Sequence, residues 1–447
     1  MSQPSTAPLQ VSDSSVASIA ARARKASRAL AQLSADARNE VLLAIAAAIE
    51  ANARRVLEAN ERDCRAAESE VAAGKMTSAM LARLKVSERG IAQIATQIRE
   101  VARLDDPLGR RLSAMELDDG LVLYKESCPF GVIGVIFESR PDALPQLASL
   151  ALKSGNAILL KGGTEAAQTN EALVTIWREC LEKFPAVPQD SINLLQSRAD
   201  VKEMLALDRD VDLIIPRGSY ALVQFIMAHS RIPVLGHSEG ICHVYVDRAA
   251  DLEKAIDIAY DAKVQYPAVC NAAETLLVHQ AIAGEFLPRI VAKLKDAKVE
   301  LRGDAKTMAL LPKEGIIPAT EEDWVTEYSD LILSLKIVDD LEEAIEHINR
   351  FGSRHTDAIV TEDAEAARRF MNEVDSAGVY HNASTRFADG YRYGLGAEVG
   401  ISTSKLHARG PMGLEGLTTY KYKLVGNGHK VGPYAKGEKK FKHRPLK

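Results

Sequence analysis

The chain has 447 residues, too many for one compact core, so two or more domains are expected. Hydrophobic residues make up 47% and charged residues 26%, as in an ordinary soluble globular protein. Lys and Arg number 56 against 61 Asp and Glu, and the net charge of -5 argues against a nucleic-acid surface as the main role.

The sequence shows no sign of a membrane or secretory segment. No apolar run approaches the roughly 20 residues that a spanning helix needs. The N-terminus lacks a basic segment followed by an apolar core, so we expect no signal peptide. The five cysteines are scattered without a CxxC pair, which predicts neither a disulfide framework nor a metal site. A cytoplasmic location fits best.

The first quarter of the chain is predicted to be helical. Residues 1–14 are rich in Ser, Pro and Thr and are expected to be a disordered tail. Helical patterns then run from about 15 to 104, and a turn follows at 105–109. Four apolar residues are predicted to share one helix face: Leu42, Ile45, Ile49 and Val56. The alternating segment 121–126 reads as a strand outside this block.

Strands and helices alternate through the rest of the chain. Continuous apolar runs predict buried parallel strands at 132–137, 157–160, 192–195, 213–215 and 244–246. A second series places strands at 275–278, 331–338, 357–361 and 378–381, with helices near 281–297, 340–350 and 363–373. Repeated strand–helix units predict an α/β protein with a doubly wound sheet.

Two segments do not fit this alternation. Gly and polar residues crowd 382–398, and such a long irregular stretch inside a domain is usually functional. Residues 430–447 are dense in lysine and predict a solvated, disordered tail. Binding of anions or of a partner is the alternative for that tail.

Cys270 is the candidate nucleophile. It lies in the segment 263–275 (KVQYPAVCNAAET), between small residues and just before an apolar strand. A thiolate there could attack an acyl carbon and form a thioester. The alternative is a small buried hydrophobic residue. Cys64, Cys128, Cys180 and Cys242 lack this setting and are interpreted as packing residues.

The cysteine segment and five further segments resemble the gamma-glutamyl phosphate reductase (glutamate-5-semialdehyde dehydrogenase) family of the aldehyde dehydrogenase superfamily. These segments are FGVIGVIFESRPD (130–142), KSGNAILLKGG (153–163), DLIIPRGS (212–219), GHSEGICH (236–243) and NASTRF (382–387) continued by GLGAEVGISTS (394–404). The resemblance covers roughly residues 20 to 425.

The resemblance implies an aldehyde dehydrogenase-like α/β fold with three parts. A Rossmann-like cofactor domain would span 15–112 and 129–243, and a catalytic domain would span 244–414. A small oligomerisation flap would combine 113–128 with 415–428, and 429–447 would be a basic tail.

The resemblance also implies the reaction. It would be NADPH-dependent reduction of L-glutamyl 5-phosphate to L-glutamate 5-semialdehyde and phosphate, a step of proline biosynthesis, through a thioester on Cys270. The oxyanion would be stabilised by the Cys270 N–H and by a donor from Ser139–Arg140, so Ser139 is a candidate catalytic residue. A homo-oligomer is expected, and glutamate 5-kinase is a candidate partner.

The nicotinamide cofactor is implied by the resemblance, since the chain has no GxGxxG motif. Lys161 would hold the adenosine ribose, unless it is simply a solvated lysine at a strand end. Thr164 stands where NAD-using relatives often carry an acid. A 2′-phosphate would then meet no repulsion and could pair with Lys161, which predicts NADPH over NADH.

Two further cofactor contacts are expected. Gly218 and Ser219 open a helix after a strand, and its backbone N–H groups favour a phosphate, although a simple N-cap serine is equally consistent. Glu327 is similar in position to the family glutamate that holds the nicotinamide ribose. A lone surface glutamate is the alternative.

The substrate residues are sought among charged and polar side chains of the family segments. Arg140 and Arg386 could bind carboxylate or phosphate, and Glu138 and Glu398 could bind the ammonium group. Hydrogen bonds are expected from further residues: Asn382, Ser384 and Thr385. Each could instead order its loop. His237 and His243 are interpreted as structural.

One departure from hydrolytic aldehyde dehydrogenases is informative. Those enzymes carry a Leu-Glu-Leu-Gly-Gly run, and the glutamate of this run activates water. Here the region is VLGHSEG (234–240), with no acid at that position and Glu239 nearby. The absence of the water-activating glutamate suits an enzyme whose thioester exchanges with phosphate and not with water. A hydrolytic dehydrogenase and a non-catalytic scaffold are the rival interpretations.

Overall fold

The computed structural model describes residues 15–138, 140–236 and 239–446. They form two compact units, one running to Leu235 and resuming at Gly413, the other comprising Gly236–Met412. The division falls ahead of the 243/244 boundary that the sequence suggested, because the strand Cys242–Val246 pairs within the second unit. The expected tail at 1–14 lies outside the described residues.

The chain up to Leu235 contains a helical block followed by alternating strands and helices. The helices are α1 (Val16–Leu30), α2 (Ala35–Ala51), α3 (Ala53–Ala72), α4 (Ser78–Leu84), α5 (Glu88–Arg103), α6 (Ala143–Lys153), α7 (Ala167–Leu181), α8 (Arg198–Met204) and α9 (Tyr220–His229). The strands are β1 (Arg111–Asp118), β2 (Leu121–Pro129), β3 (Val132–Phe137), β4 (Ala157–Lys161), β5 (Ile192–Leu194) and β6 (Leu213–Arg217).

The helical block is specified by caps and apolar faces. Helices α1, α2, α4 and α5 each begin at a Ser or Thr side chain that accepts a first-turn N–H bond. The four apolar residues predicted to share a face are all fully buried. They do not belong to one helix, however, because the chain breaks at Asn52, whose amide donates to Ala48 O at 2.8 Å. Val56 therefore lies on α3.

The sheet of this first α/β region is parallel, with strand order β5-β4-β3-β6 among the described strands. Every residue of β3 and β4 is buried, as the continuous apolar runs predicted.

The second unit contains a larger sheet. Its elements are β7 (Cys242–Val246), α10 (Leu252–Val264), β8 (Ala273–His279), α11 (Gln280–Asp296), β9 (Glu300–Gly303), α12 (Ala305–Leu310), β10 (Ile317–Pro318), β11 (Ile332–Val338), α13 (Leu341–Phe351), β12 (Thr356–Val360), α14 (Ala364–Glu373), β13 (Gly378–His381), β14 (Gly400–Ser402) and β15 (Gly410–Met412). The described strands of the main sheet are parallel, in the order β10-β9-β11-β8-β7-β12-β13.

Both faces of this sheet are covered. Along β7, Val244 and Val246 join one apolar cluster with α10 and α11, whereas Tyr245 joins another with α13 and α14. Successive side chains of a strand point to opposite faces of the sheet, and here both faces pack against helices. The predicted α/β class is confirmed.

The last part of the chain returns to the first unit as β16 (Thr418–Val425), α15 (Gly432–Ala435) and β17 (Arg444–Leu446). With the β1–β2 hairpin these strands form an antiparallel sheet in the order β16-β2-β1-β17. The single strand expected at 113–128 is therefore two strands, which turn at Gly120 with a φ of 69°.

The lysine-rich C-terminal segment is not disordered over its described residues, so that expectation is wrong. Leu446 pairs with Ala114 of β1, and Lys442 N–H donates to Leu117 O at 2.7 Å. Tyr434 donates its hydroxyl to Asp118 at 2.7 Å, and its ring stacks on Phe441 at 4.3 Å. The hydroxyl bond of Tyr434, together with the Asp119 N–H and nearby lysines, lowers the pKa of Asp118 to about 2. These specific contacts order a segment whose composition alone suggested none.

Within the described ranges, no helix combines the length and apolar character needed to cross a membrane.

Deleting residues 430–447 should increase self-association, because β17 covers the hydrogen-bonding edge of β1 and an open edge templates pairing with another chain. The size distribution would be measured by light scattering over a range of protein concentrations. Lys440→Ala is the control, since it leaves the β1–β17 pairing intact. Identical distributions for the truncated and intact proteins would show that β17 does not protect this edge.

Candidate active site

Cys270 lies at the amino edge of the parallel sheet in the second unit. The half-buried, free thiol belongs to the loop between α10 and β8. Because neighbouring parallel strands begin at the same edge, the residues that precede β7, β11 and β12 reach the same region. The groups around Cys270 come from these strand beginnings and from the 382–388 loop that follows β13.

The chain before β7 packs directly against the Cys270 backbone. A Cβ built on Gly240 would lie 1.9 Å from the Cys270 carbonyl oxygen and 2.4 Å from its Cα. No side chain fits in that space. Gly240 therefore allows two backbone segments to meet beside the nucleophile.

Cys242 contacts the backbone of Cys270, although its sequence context predicts only a packing role. Its fully buried thiol lies 3.2 Å from the Cys270 carbonyl oxygen and donates to it. Its sulfur is 3.7 Å from His355 Nδ1. Burial raises the pKa of the Cys242 thiol well above its ordinary value, so this group stays protonated and acts as a donor.

The 382–388 loop is held against the cysteine loop. Gln265 Oε1 accepts from Arg386 Nε at 2.9 Å, and Asn271 donates its amide to Ala388 O at 2.8 Å. Arg386 is only 6% exposed. Burial lowers the pKa of its guanidinium, and the negative charge of a Cys270 thiolate partly offsets this. The structure thus brings the predicted arginine and the predicted nucleophile together.

Several other predicted substrate residues bond to nearby backbone groups. Asn382 bonds the backbone of Thr361 through both amide atoms at 3.0 Å, in a left-handed conformation with a φ of 52°. Ser384 Oγ accepts from Arg386 N–H at 3.3 Å, and Glu398 accepts from Gly390 N–H at 2.8 Å. Thr385 is fully buried. For Asn382, Ser384 and Glu398 these contacts favour the loop-ordering alternative.

Glu239 and Glu327 form a pair of half-buried carboxyl groups in the second unit. Burial raises the pKa of Glu239 above its ordinary value, and the negative charge of Glu327 raises it further. Glu327 is itself half-buried, and its charge acts on Glu239. His243, by contrast, is fully buried with its Nδ1 2.8 Å from Asp357, in keeping with a structural role.

The candidate cofactor residues of the first unit lie at the carboxyl edge of its parallel sheet. Lys161 ends β4 and is only 6% exposed, so it is not a solvated strand-end lysine. Its ammonium donates to Gly162 O. Asn170 lies against Gly162, and its buried side-chain oxygen has no hydrogen-bond partner among the described residues. A buried ammonium beside an orphaned oxygen fits the hydroxyl groups of a nucleotide ribose.

A carboxylate acts on Lys161 even though position 164 carries a threonine. Glu165, one residue beyond Thr164, folds back so that its oxygens would lie 2.0 and 2.4 Å from a Cβ built on Gly163. Burial lowers the pKa of Lys161, the charge of Glu165 opposes this and that of Arg198 adds to it. The absence of an acid at Thr164 therefore does not leave the site free of negative charge.

Glu138 and Ser219 are brought together by the pairing of β3 with β6. Ser219 N–H donates to Glu138 Oε2 at 2.7 Å, and a Cβ on Gly218 would lie 2.5 Å from the same oxygen. The carboxylate of Glu138 thus caps α9 where a phosphate was expected, and Ser219 makes no side-chain cap. Arg140 is exposed, and Ser139 lies outside the described residues, as does His237.

The chain matches the sequence profile of the aldehyde dehydrogenase family over residues 5–310. It is 56% identical over 423 residues to a gamma-glutamyl phosphate reductase of Natronomonas pharaonis, which covers 94% of this chain and 95% of that protein. The chain belongs to the aldehyde dehydrogenase family, in the group of gamma-glutamyl phosphate reductases.

Solved structures support the same assignment. The gamma-glutamyl phosphate reductase of Thermotoga maritima is 41% identical with a TM-score of 0.90, covering 93% of this chain and 99% of that one. A glyceraldehyde-3-phosphate dehydrogenase of Methanocaldococcus jannaschii, complexed with NADP, shares the fold at 18% identity, with a TM-score of 0.64 and coverage of 92% and 94%. The aldehyde dehydrogenase-like α/β fold is confirmed.

Some site features were missed in the sequence, and each left only a weak signal. Gly240 is a single glycine, and Cys242 reads as part of an apolar strand. Glu165 lies one residue beyond Thr164, where NAD-using relatives often carry an acid. Lys263 and Glu274 both lie in the cysteine segment but are eleven positions apart, so their pairing depends on the fold.

Gly240→Ala should destabilise the protein by roughly 1–3 kcal/mol, because the new methyl group would overlap the Cys270 backbone. Gly284→Ala is the matched control, since nothing lies within 4 Å of its Cβ position and a helical alanine should add up to about 1 kcal/mol. Urea unfolding of both variants measures the difference. Equal stability of Gly240→Ala and wild type would rule out the close approach.

Proposed function

We propose that this protein reduces L-glutamyl 5-phosphate to L-glutamate 5-semialdehyde and phosphate with NADPH, a step of proline biosynthesis from glutamate. The observation that carries the proposal is the 56% identity, over nearly the full length of both chains, to the gamma-glutamyl phosphate reductase of Natronomonas pharaonis. The half-buried thiol of Cys270, whose backbone packs against Gly240 and accepts from Cys242, agrees with it.

Cys270 begins the reaction in this proposal. Its sulfur attacks the acyl carbon, a C–S bond forms, and the C–O bond to phosphate breaks. The Cys270 N–H would stabilise the oxyanion. NADPH, when bound, supplies the hydride that reduces the thioester. The thiohemiacetal then loses its C–S bond, the aldehyde leaves, and the sulfur regains a proton.

The buried guanidinium of Arg386 is the best-placed group for the substrate in the second unit. It interacts electrostatically with Cys270, and an arginine can bind a carboxylate or phosphate through two bonds. In this proposal Asn382, Ser384, Thr385 and Glu398 shape the loop around Arg386. Arg140 and Glu138 remain candidate substrate contacts of the first unit, with Glu138 held at the start of α9.

Lys161 and Glu327 are proposed to bind the cofactor. Gly218 and Ser219 would join them once a phosphate displaces the Glu138 carboxylate from the Ser219 N–H. The preference for NADPH is supported by Lys161 and by the positive charge of Arg198, whereas Glu165 opposes it. The first unit would then be the cofactor domain and the second the catalytic domain.

The antiparallel sheet is proposed to be an oligomerisation flap of a cytoplasmic homo-oligomer. Its outer strand β16 is an edge strand with exposed apolar side chains: Tyr420, Tyr422, Leu424 and Val425. Glutamate 5-kinase is a proposed partner because the acyl phosphate it makes is labile in water.

The decisive experiment is the reverse reaction, NADPH formation from NADP and glutamate 5-semialdehyde with and without inorganic phosphate. We expect strict dependence on phosphate, and Cys270→Ala should reduce turnover to about a thousandth or less. Cys128→Ala, at another partly exposed free cysteine, should leave turnover unchanged. Equal rates without phosphate would instead identify a hydrolytic dehydrogenase.

Glu165→Gln should raise the preference for NADP over NAD about tenfold, roughly 1.4 kcal/mol, because it removes a negative charge near the expected 2′-phosphate. The ratio of kcat/KM for the two cofactors measures this. Glu171→Gln removes the same charge from an exposed position on α7 and should leave the ratio unchanged. An unchanged ratio for Glu165→Gln would place this carboxylate away from the 2′ position.

A further inference from the structure

A buried ion pair joins the two ends of the cysteine loop. Lys263 stands in the last turn of α10 and Glu274 at the start of β8, on either side of Cys270. Their side chains are 0% exposed, and Lys263 Nζ lies 2.6 Å from Glu274 Oε2. The pair therefore closes the segment between them at its base.

Because both groups are buried away from water, this contact restricts the positions of both side chains. Burial lowers the pKa of Lys263 and raises that of Glu274, while the charge and hydrogen bond of each partner oppose these shifts. A buried charge without its partner is strongly unfavourable. Neither side chain can turn away while the other stays charged, so the ends of the loop keep one separation.

The same carboxylate reaches the segment that carries Glu327. Ser329 N–H donates to Glu274 Oε1 at 3.4 Å, and Lys263 Nζ lies 5.9 Å from the centre of the Tyr328 ring. The Tyr328 hydroxyl is fixed in turn by Asp323 and Ser334 at 2.8 and 2.7 Å. Glu274 thus bonds the base of the cysteine loop with one oxygen and the 326–330 segment with the other.

We propose that the Lys263–Glu274 pair is a positioning element that sets Cys270 and Glu327 in one fixed arrangement within the second unit. Neither residue touches the reacting atoms. The pair instead holds the nucleophile in register with the group that Glu327 binds, and this part of the inference rests on the proposed function. The effect on the reactivity of Cys270 does not depend on it.

The test is the double variant Lys263→Met/Glu274→Leu, which removes both charges and keeps the volume. Replacing a buried pair by apolar residues is often neutral for stability, so a pair with only a structural role would leave catalysis intact. A positioning role predicts an unchanged melting temperature and a kcat about 100-fold lower, with KM changed much less. The alkylation rate of Cys270 by iodoacetamide should also change several-fold.

Two comparisons complete the design. Lys293→Met/Asp257→Leu removes an exposed ion pair that joins α10 and α11, and it should behave like wild type. Glu274→Gln keeps an oxygen that can accept from Ser329 N–H, so its loss of kcat should be smaller than that of the double variant.

Wild-type kcat and alkylation in the folded double variant would overturn the proposal. If the double variant does not fold, Glu274→Gln decides, measured at a temperature at which it is fully folded: a lower kcat supports positioning, and an unchanged kcat overturns it. Absence of phosphate-dependent oxidation in the wild-type protein would refute the proposed function alone, because the alkylation comparison would still test positioning.

Discussion

The contact between Gly240 and the backbone of Cys270 is the constraint on which the candidate active site depends. It exists because β7 and β8 are neighbouring parallel strands, so the segments that lead into them meet at one edge of the sheet. A Cβ atom at position 240 would lie 1.9 Å from the Cys270 carbonyl oxygen, so only glycine fits there. Once the backbones meet, the Cys242 thiol can donate to the Cys270 carbonyl and fix that peptide.

The two units use opposite edges of their parallel sheets. In the first, Lys161, Glu138 and Ser219 follow strands, at the carboxyl edge where helix N-termini and open strand ends favour anionic ligands. In the second, the cysteine precedes its strand, a buried arginine is bonded to the cysteine loop, and a buried ion pair joins the two ends of that loop. The first set suits recognition of a nucleotide, and the second suits covalent chemistry at an acyl carbon in the proposed reaction.

The sequence predicted the parts of the fold that local pattern determines. The buried parallel strands were located within a residue or two because they are continuous apolar runs, whereas the short strands β9, β14 and β17 carry no such signal. Pairings between distant residues could not be predicted, since they depend on topology. The pairing of Lys263 with Glu274 is one such case. The approach of Glu165 to Gly163 is another, because Glu165 lies one residue beyond the position where NAD-using relatives often carry an acid.

The carboxyl groups of Glu239 and Glu327 bear on whether water competes with phosphate in the proposed reaction. Glu239 is the acid nearest in sequence to the missing water-activating position. Burial and the neighbouring charge of Glu327 both raise the pKa of Glu239 above its ordinary value. A raised pKa leaves less of a carboxyl group ionised at a given pH, but it also makes the ionised form a stronger base, so the shift by itself does not disfavour hydrolysis. The proposed exchange with phosphate therefore depends on the missing glutamate itself, because position and not only basicity decides whether a carboxylate can activate water at the thioester.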